Sequence, residues 1–168
     1  MKLDFSQRNY LVVLVTSVLG AGFLLLGDFA VWQERELWYR DSSGNPHYYW
    51  SDHYVWSFEN LLTAVIFLEV ALLLLGAAWV AFQGLRVTDA GAAPLSDALQ
   101  RRGFLFAQVA CIEIFAGGMI FLITMAIEEP SDWWLDVGFY GSLVFSLSAV
   151  FFFWRERRAR AKSAESPT

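Results

Sequence analysis

The chain has 168 residues, 57% of them apolar, and a mean hydropathy of +0.42. Soluble domains hold about 45–50% apolar residues, and here the excess is gathered in four blocks, which excludes an ordinary water-soluble globule and predicts one membrane domain over 1–168. The single cysteine, Cys111, excludes an internal disulfide and a cysteine-built zinc site, and the net charge of −5 says little because the charges are segregated by connection.

The chain opens on a short polar segment, MKLDFSQR, followed by a first apolar block at 10–32. That block is longer than a signal-peptide core and lacks a small-x-small cleavage site, so a retained span is predicted. Thr16, Gly20 and Gly27 fall within about 40° of one another at 100° per residue, a small-residue face that lets another helix approach closely. Residues 33–56 form the first connection, with a turn signal at Gly44-Asn45-Pro46. It is crowded with Trp38, Tyr39, Tyr48, Tyr49, Trp50, Tyr54 and Trp56, rings that favour the headgroup zone. A surface loop with a short interfacial helix at Gln33–Arg40 is expected there.

The second block, 57–83, has the length of a bilayer crossing, and Glu69 falls almost at its middle. A carboxylate at that depth costs about 3 kcal/mol on insertion scales. Glu69, Gly76 and Gln83 share a face, and Glu59 sits near the outer end. The run FLEVALLLLG at 67–76 resembles the second helix of DoxX-type four-helix membrane proteins; Glu113 and the aromatic connection have no place in that pattern, and no function is carried over. A connection at 84–103 follows, in which Ser96-Asp97 after Pro94 can start a helix that runs into the third block, 104–127. There Ala110, Glu113, Gly117, Thr124 and Glu128 lie within about 60° of one another, a polar and small stripe expected to face other helices. Pro130 breaks the chain before the fourth block, 133–154, where Gly138, Ser142, Ser146 and Ala149 make another small face. A basic tail at 155–168, fading into a polar end expected to be disordered, carries Arg155, Arg157, Arg158 and Arg160 as lipid-facing groups that fix orientation or meet anionic lipid.

The fold predicted is all-α: four transmembrane helices in an up-down bundle. Basic residues number ten on the N-terminus, the 84–103 connection and the tail, against two on the other connections, so both termini are expected in the cytoplasm of a cell membrane.

Glu69 and Glu113 are the leading functional candidates. Their helices are consecutive and antiparallel, hence expected neighbours, with a depth offset of about 5 Å from the block midpoints. Such a pair can share a proton, accept a cation, or relay protons toward Glu59 or Glu128; the plainer alternative is that each is protonated and hydrogen-bonded within the bundle or to a partner subunit. His47, Asp52 and His53 are weak metal candidates with no tight ligand spacing, so no metal and no cofactor is predicted. No phosphate loop, nucleophile elbow or HExxH is present, and nucleic-acid binding is not expected. The reading favoured is therefore a non-catalytic subunit or assembly factor of a membrane complex, partly because helices one and four offer more small-residue surface than a self-contained bundle needs. A homo-oligomeric proton- or cation-coupled carrier using Glu69 and Glu113 comes second, and a quinone- or metal-handling redox protein third.

Overall fold

The computed structural model describes residues 4–55, 61–89, 95–128 and 132–165. Among them are four long helices, α1 (Phe5–Leu26), α2 (Leu61–Asp89), α3 (Asp97–Glu128) and α4 (Val137–Glu165), and three strands, β1 (Ala30–Arg40), β2 (Pro46–Val55) and β3 (Asp132–Leu135). Each helix is long and apolar enough to cross a bilayer, over Phe5–Leu26, Leu61–Val87, Asp97–Ile127 and Val137–Lys162. The protein is thus a multi-pass membrane protein, mostly helical, and the all-α expectation is corrected by a three-stranded sheet.

Local chemistry sets where the helices start. Asp4 caps α1: its Oδ1 accepts the Phe5 N–H at 2.6 Å, while the Gln7 side chain accepts the Asp4 N–H at 2.8 Å. This capping box turns the first polar residues into helix and places α1 earlier than the 10–32 expectation. At α3, Ser96 Oγ accepts the Leu99 N–H at 3.4 Å, and one helix runs on from Asp97 into the third apolar block. α4 also runs beyond the boundary expected at residue 154, through the basic residues to Glu165.

α1 packs on α2 and α4, and α3 closes the ring by packing on the same two helices. Inward stripes recur every three or four residues, as a helix face must: Ala107, Ala110, Ile114, Phe121 and Met125 on α3, and Phe139, Ser142, Ser146, Ala149, Phe153 and Glu156 on α4. Lipid is as apolar as leucine, so close packing rather than hydrophobic burial holds such helices together. The small faces of α1 and α4 serve that need inside the bundle. Gly20 lies against Phe145 and Ser142, and Gly27 against Gly138. A Cβ on Gly138 would stand 2.7 Å from the Asp28 carbonyl oxygen. The expectation that these faces are spare, and await an outside partner, is corrected: α1 and α4 consume them.

The sheet has the order β2-β1-β3, antiparallel throughout. Trp32 sits between His53 and Trp133, and β3 stops pairing at Gln33, so the rest of β1 and β2 is a two-stranded ribbon. The interfacial helix expected at Gln33–Arg40 is strand instead. Its residues alternate: Trp32, Glu34 and Glu36 fall on one face with Tyr49, Ser51 and His53, while Arg35 and Leu37 fall on the other with Tyr48 and Trp50. The turn is built by Asp41, whose Oδ1 accepts the N–H groups of Ser43 and Asn45 at 2.9 Å each, and by Gly44 at φ +83°. An L side chain rarely adopts that φ, and glycine does so without cost. The sheet caps one end of the bundle: Trp32, Val55 and Trp133 pack on a buried cluster containing Phe29, Ala30, Phe121, Leu135 and Phe139.

Candidate functional site

Glu69 and Glu113 lie at the same level of the bundle. Gly76 of α2 packs on Phe106 of α3, and Val80 on Gly103; this antiparallel register puts residue 69 opposite residue 113. The offset of one helical turn expected from sequence is not present. The two carboxylates belong to helices that pack directly on each other. They do not, however, point into the centre of the bundle, which at this level is filled by Leu24, Phe67, Val70, Ala71, Ala110 and Ile114. Glu69 is exposed on the outer surface of α2. Glu113 is half-buried, and its Oε2 is hidden with no hydrogen-bond partner. The stripe expected to face other helices therefore runs along the flank of α3: Ala110 is buried, while Glu113, Gly117 and Thr124 are half-buried. Beside Glu69 a groove of about 410 Å³ is lined by Val65, Leu68, Leu72, Leu73 and Phe106. Its wall is apolar and its one charge is the Glu69 carboxylate.

A second polar centre lies where α1 and α3 begin and α4 ends. Glu156 is 3% exposed. Its Oε1 accepts from Ser6 Oγ at 2.6 Å and from Arg160 Nε at 3.3 Å, and its Oε2 accepts from Asn9 Nδ2 at 2.9 Å. Arg160 also donates to the Leu95 carbonyl and to Tyr10 Oη, both at 2.8 Å. A buried carboxylate keeps its charge only with an opposite charge and hydrogen bonds close by, and Glu156 has both. The network ties α1, α4 and the segment before α3 together. Arg160, expected among the lipid-facing basic groups, thus turns inward. Arg155, Arg157 and Arg158 instead lie over the rings of Phe5, Phe104 and Trp154, at 4.5, 5.1 and 5.3 Å from the centroids. Such contacts are cation–π in kind and let long side chains cover apolar surface.

Sequence reading passed over Glu156, although a signal was present. Ser142, Ser146, Ala149, Phe153, Glu156 and Arg160 continue one three-four spacing across the boundary drawn at residue 155.

The histidines are held apart. His47 and His53 are six residues apart on β2, about 20 Å at strand rise, and Asp52 points to the opposite face from His53. His47 stacks on Tyr39 and lies 3.6 Å from Asp41. His53 stacks on Trp32 and lies 3.4 Å from Glu36. Asp52 accepts from Gln33 Nε2 at 2.7 Å. Among the described residues no three His, Cys, Asp or Glu side chains converge to hold a metal ion. Tyr49 Oη donates to Glu36 at 2.6 Å, and this bond, then one from Ser51, holds the Glu36 carboxyl below its usual range. Asp41 is likewise held low, chiefly by the Asn45 backbone and side chain.

Of the other relay candidates, Glu59 lies outside the described residues, and Glu128 is the last residue of α3. No protein-family model matches the chain, and no curated protein matches it in sequence. The likeness of 67–76 to a DoxX-type helix remains a likeness of that segment.

Proposed function

We propose that this protein is a non-catalytic subunit or assembly factor of a membrane complex, and that it joins its partner through the α2–α3 face. The observation that carries the reading is the placement of Glu69. A carboxylate turned outward in the middle of a spanning helix, beside a second one with a hidden and unpartnered oxygen, is an expensive arrangement against lipid. A helix of another subunit that offers an arginine, a lysine or a hydroxyl donor relieves it, and the apolar groove beside Glu69 suits the stem of such a side chain. The reading invokes no cofactor and no catalytic residue. Both termini are placed in the cytoplasm on the strength of the lysine and arginine distribution, with the bundle running up and down between the sheet end and the terminal end.

A carrier that passes protons or cations through one copy of the chain is less favoured, because the packed apolar centre leaves the carboxylates on the outside. A homo-oligomer that closes the α2–α3 face against itself keeps the carrier reading open.

Photo-crosslinking from the groove discriminates the two. A crosslinker at Leu72, in the native membrane, should give one discrete adduct with a different polypeptide. The same group at Leu147, exposed on α4, should give lipid adducts. Adducts only with a second copy of this chain favour the carrier, and lipid adducts at both positions defeat both readings.

A further inference from the structure

The two faces of the sheet are unlike. Trp32, Val55 and Trp133, which pack on the cluster at the end of the bundle, share one face by register. The outer face carries Arg35 and Leu37 of β1, Tyr48, Trp50 and Tyr54 of β2, and Trp134 of β3, and all six are exposed. Charge is divided in the same way. Both acids of β1, Glu34 and Glu36, lie on the packed face, and both its arginines, Arg35 and Arg40, on the outer one. The irregularity between Leu37 and Tyr39 brings this about, because it returns Arg40 to the outer face opposite Pro46. The outer-face acids Asp52 and Asp132 flank Gln33 at the root, where Asp52 accepts from Gln33 Nε2 at 2.7 Å. Beyond that root the outer face offers rings and guanidinium groups, with Arg35 lying over the Tyr48 ring at 4.2 Å. Tryptophan and tyrosine favour the headgroup zone, and arginine favours an anionic lipid surface.

The outer face also looks toward lipid. Phe29 reaches Gly117, α3 continues from there to Glu128, and Trp133 meets Phe121 on the way. The sheet therefore stands on the ends of α1 and α4, with its packed face against the last turns of α3. Trp134 is followed closely by Val137 and Tyr140, exposed on the first turn of α4. Three residues separate α1 from β1, and Asp136 alone separates β3 from α4. So short a tether to spanning helices gives the bilayer surface a high effective concentration at this face.

We propose that the β1–β2 ribbon docks on the surface of its own membrane through this outer face. Tyr48, Trp50 and Tyr54 rest at the boundary between headgroups and acyl chains, where a ring is half buried and its N–H or O–H stays wet. Arg35 and Arg40 meet lipid phosphate through charge-assisted hydrogen bonds. Glu34 and Glu36, on the packed face, are kept from the anionic surface. The surface is separate from the α2–α3 face and does not depend on what binds there.

The test uses the full chain, on a Cys111→Ser background, in vesicles of phosphatidylcholine and phosphatidylglycerol. A fluorophore is attached at Tyr48→Cys or at Glu34→Cys, exposed positions on opposite faces of the ribbon. A nitroxide on the lipid headgroup should quench the label at position 48 and spare the one at 34, and iodide in the water should do the reverse. An Arg35→Gln, Arg40→Gln variant, altered only at exposed side chains, should lower the docked-to-free ratio about fivefold for each arginine, read as label 48 opening to iodide. Vesicles without phosphatidylglycerol should show a similar loss, and there the variant should change little more. A label at 48 that is open to iodide in the parent chain, or equal quenching at both positions, overturns the proposal. So does a label at 48 shielded from both quenchers, as a covering protein chain would leave it, or docking that the arginine variant leaves undiminished.

Discussion

At the scale of single residues the protein holds two carboxylate centres under opposite conditions. Glu156 is buried among donors that use both its oxygens; Glu69 and Glu113 are placed where the bundle itself supplies little. Substitution should therefore act in opposite directions. Glu156→Leu strips Arg160 of its partner inside the bundle and should cost about 3–5 kcal/mol. A Glu156→Leu, Arg160→Leu pair should recover much of that loss, because no uncompensated charge remains. Thermal unfolding in detergent measures both, and a single variant as stable as the parent would remove Glu156 from this account. Glu69→Leu should leave the isolated protein as stable as the parent or more so, since a polar group leaves an apolar surface, while complex formation weakens. Loss of stability in the isolated protein would mean that Glu69 is satisfied within its own chain.

At the scale of elements, the close contact of α1 with α4 and the hairpin turn each rest on a glycine. Gly138→Ala forces a methyl group against the Asp28 carbonyl oxygen. Overpacking of this kind costs about 1–3 kcal/mol, to be read as a lower Tm, whereas an alanine at Gly22, with nothing near its Cβ position, should be harmless. The hairpin should be acid-sensitive. Glu36 and Asp41 both have carboxyls held low by hydrogen bonds to their charged forms. Groups shifted this way stabilise the folded state above the ordinary carboxylate pKa of about 4, and the contribution is lost as pH falls through their lowered values. Hydrogen exchange of the Glu36–Tyr49 segment, corrected for intrinsic rates, should accelerate from about pH 6 to about pH 3. Unchanged protection would show that these bonds do not hold the ribbon.

The helices were legible because a membrane span is written in composition, and twenty or so apolar residues have few other fates. Their ends were less so. Asp4 and Gln7 spell a capping box, and Glu156 and Arg160 continue a helical spacing, but polar residues beside an apolar block read as the edge of the span when only hydropathy is weighed. The hairpin was misread for a related reason. Residues 30–55 hold alternating aromatic and polar residues around Asp41–Asn45, a recognisable strand-turn-strand pattern, yet tryptophan and tyrosine near a span also mark a membrane interface. The two carboxylates were found in sequence because charge in mid-span is rare. Their outward placement was not, because the face that a helix turns to its neighbours depends on packing that one sequence does not encode locally. Small residues on α1 and α4 were visible too, and only the bundle shows that they meet each other at Gly27 and Gly138.

At the scale of the whole molecule, four spans form a closed ring, one end is capped by a sheet, and the other is knit by the Glu156 network. The ring closes within one chain, and among the described residues Glu69 and Glu113 stand on the flank of α2 and α3, Glu113 with one oxygen hidden and unpartnered. This division between a packed centre and two carboxylates on the flank is the ground for the proposed subunit role. The most direct measurement is native mass analysis of the protein extracted in a mild detergent, beside a Glu69→Leu, Glu113→Leu variant. The account predicts that the parent chain leaves the membrane in fixed proportion with another membrane polypeptide and that the variant, equally abundant and folded, leaves it alone. A parent chain that emerges alone or only as copies of itself, or a variant that keeps the same partner in the same proportion, would contradict it.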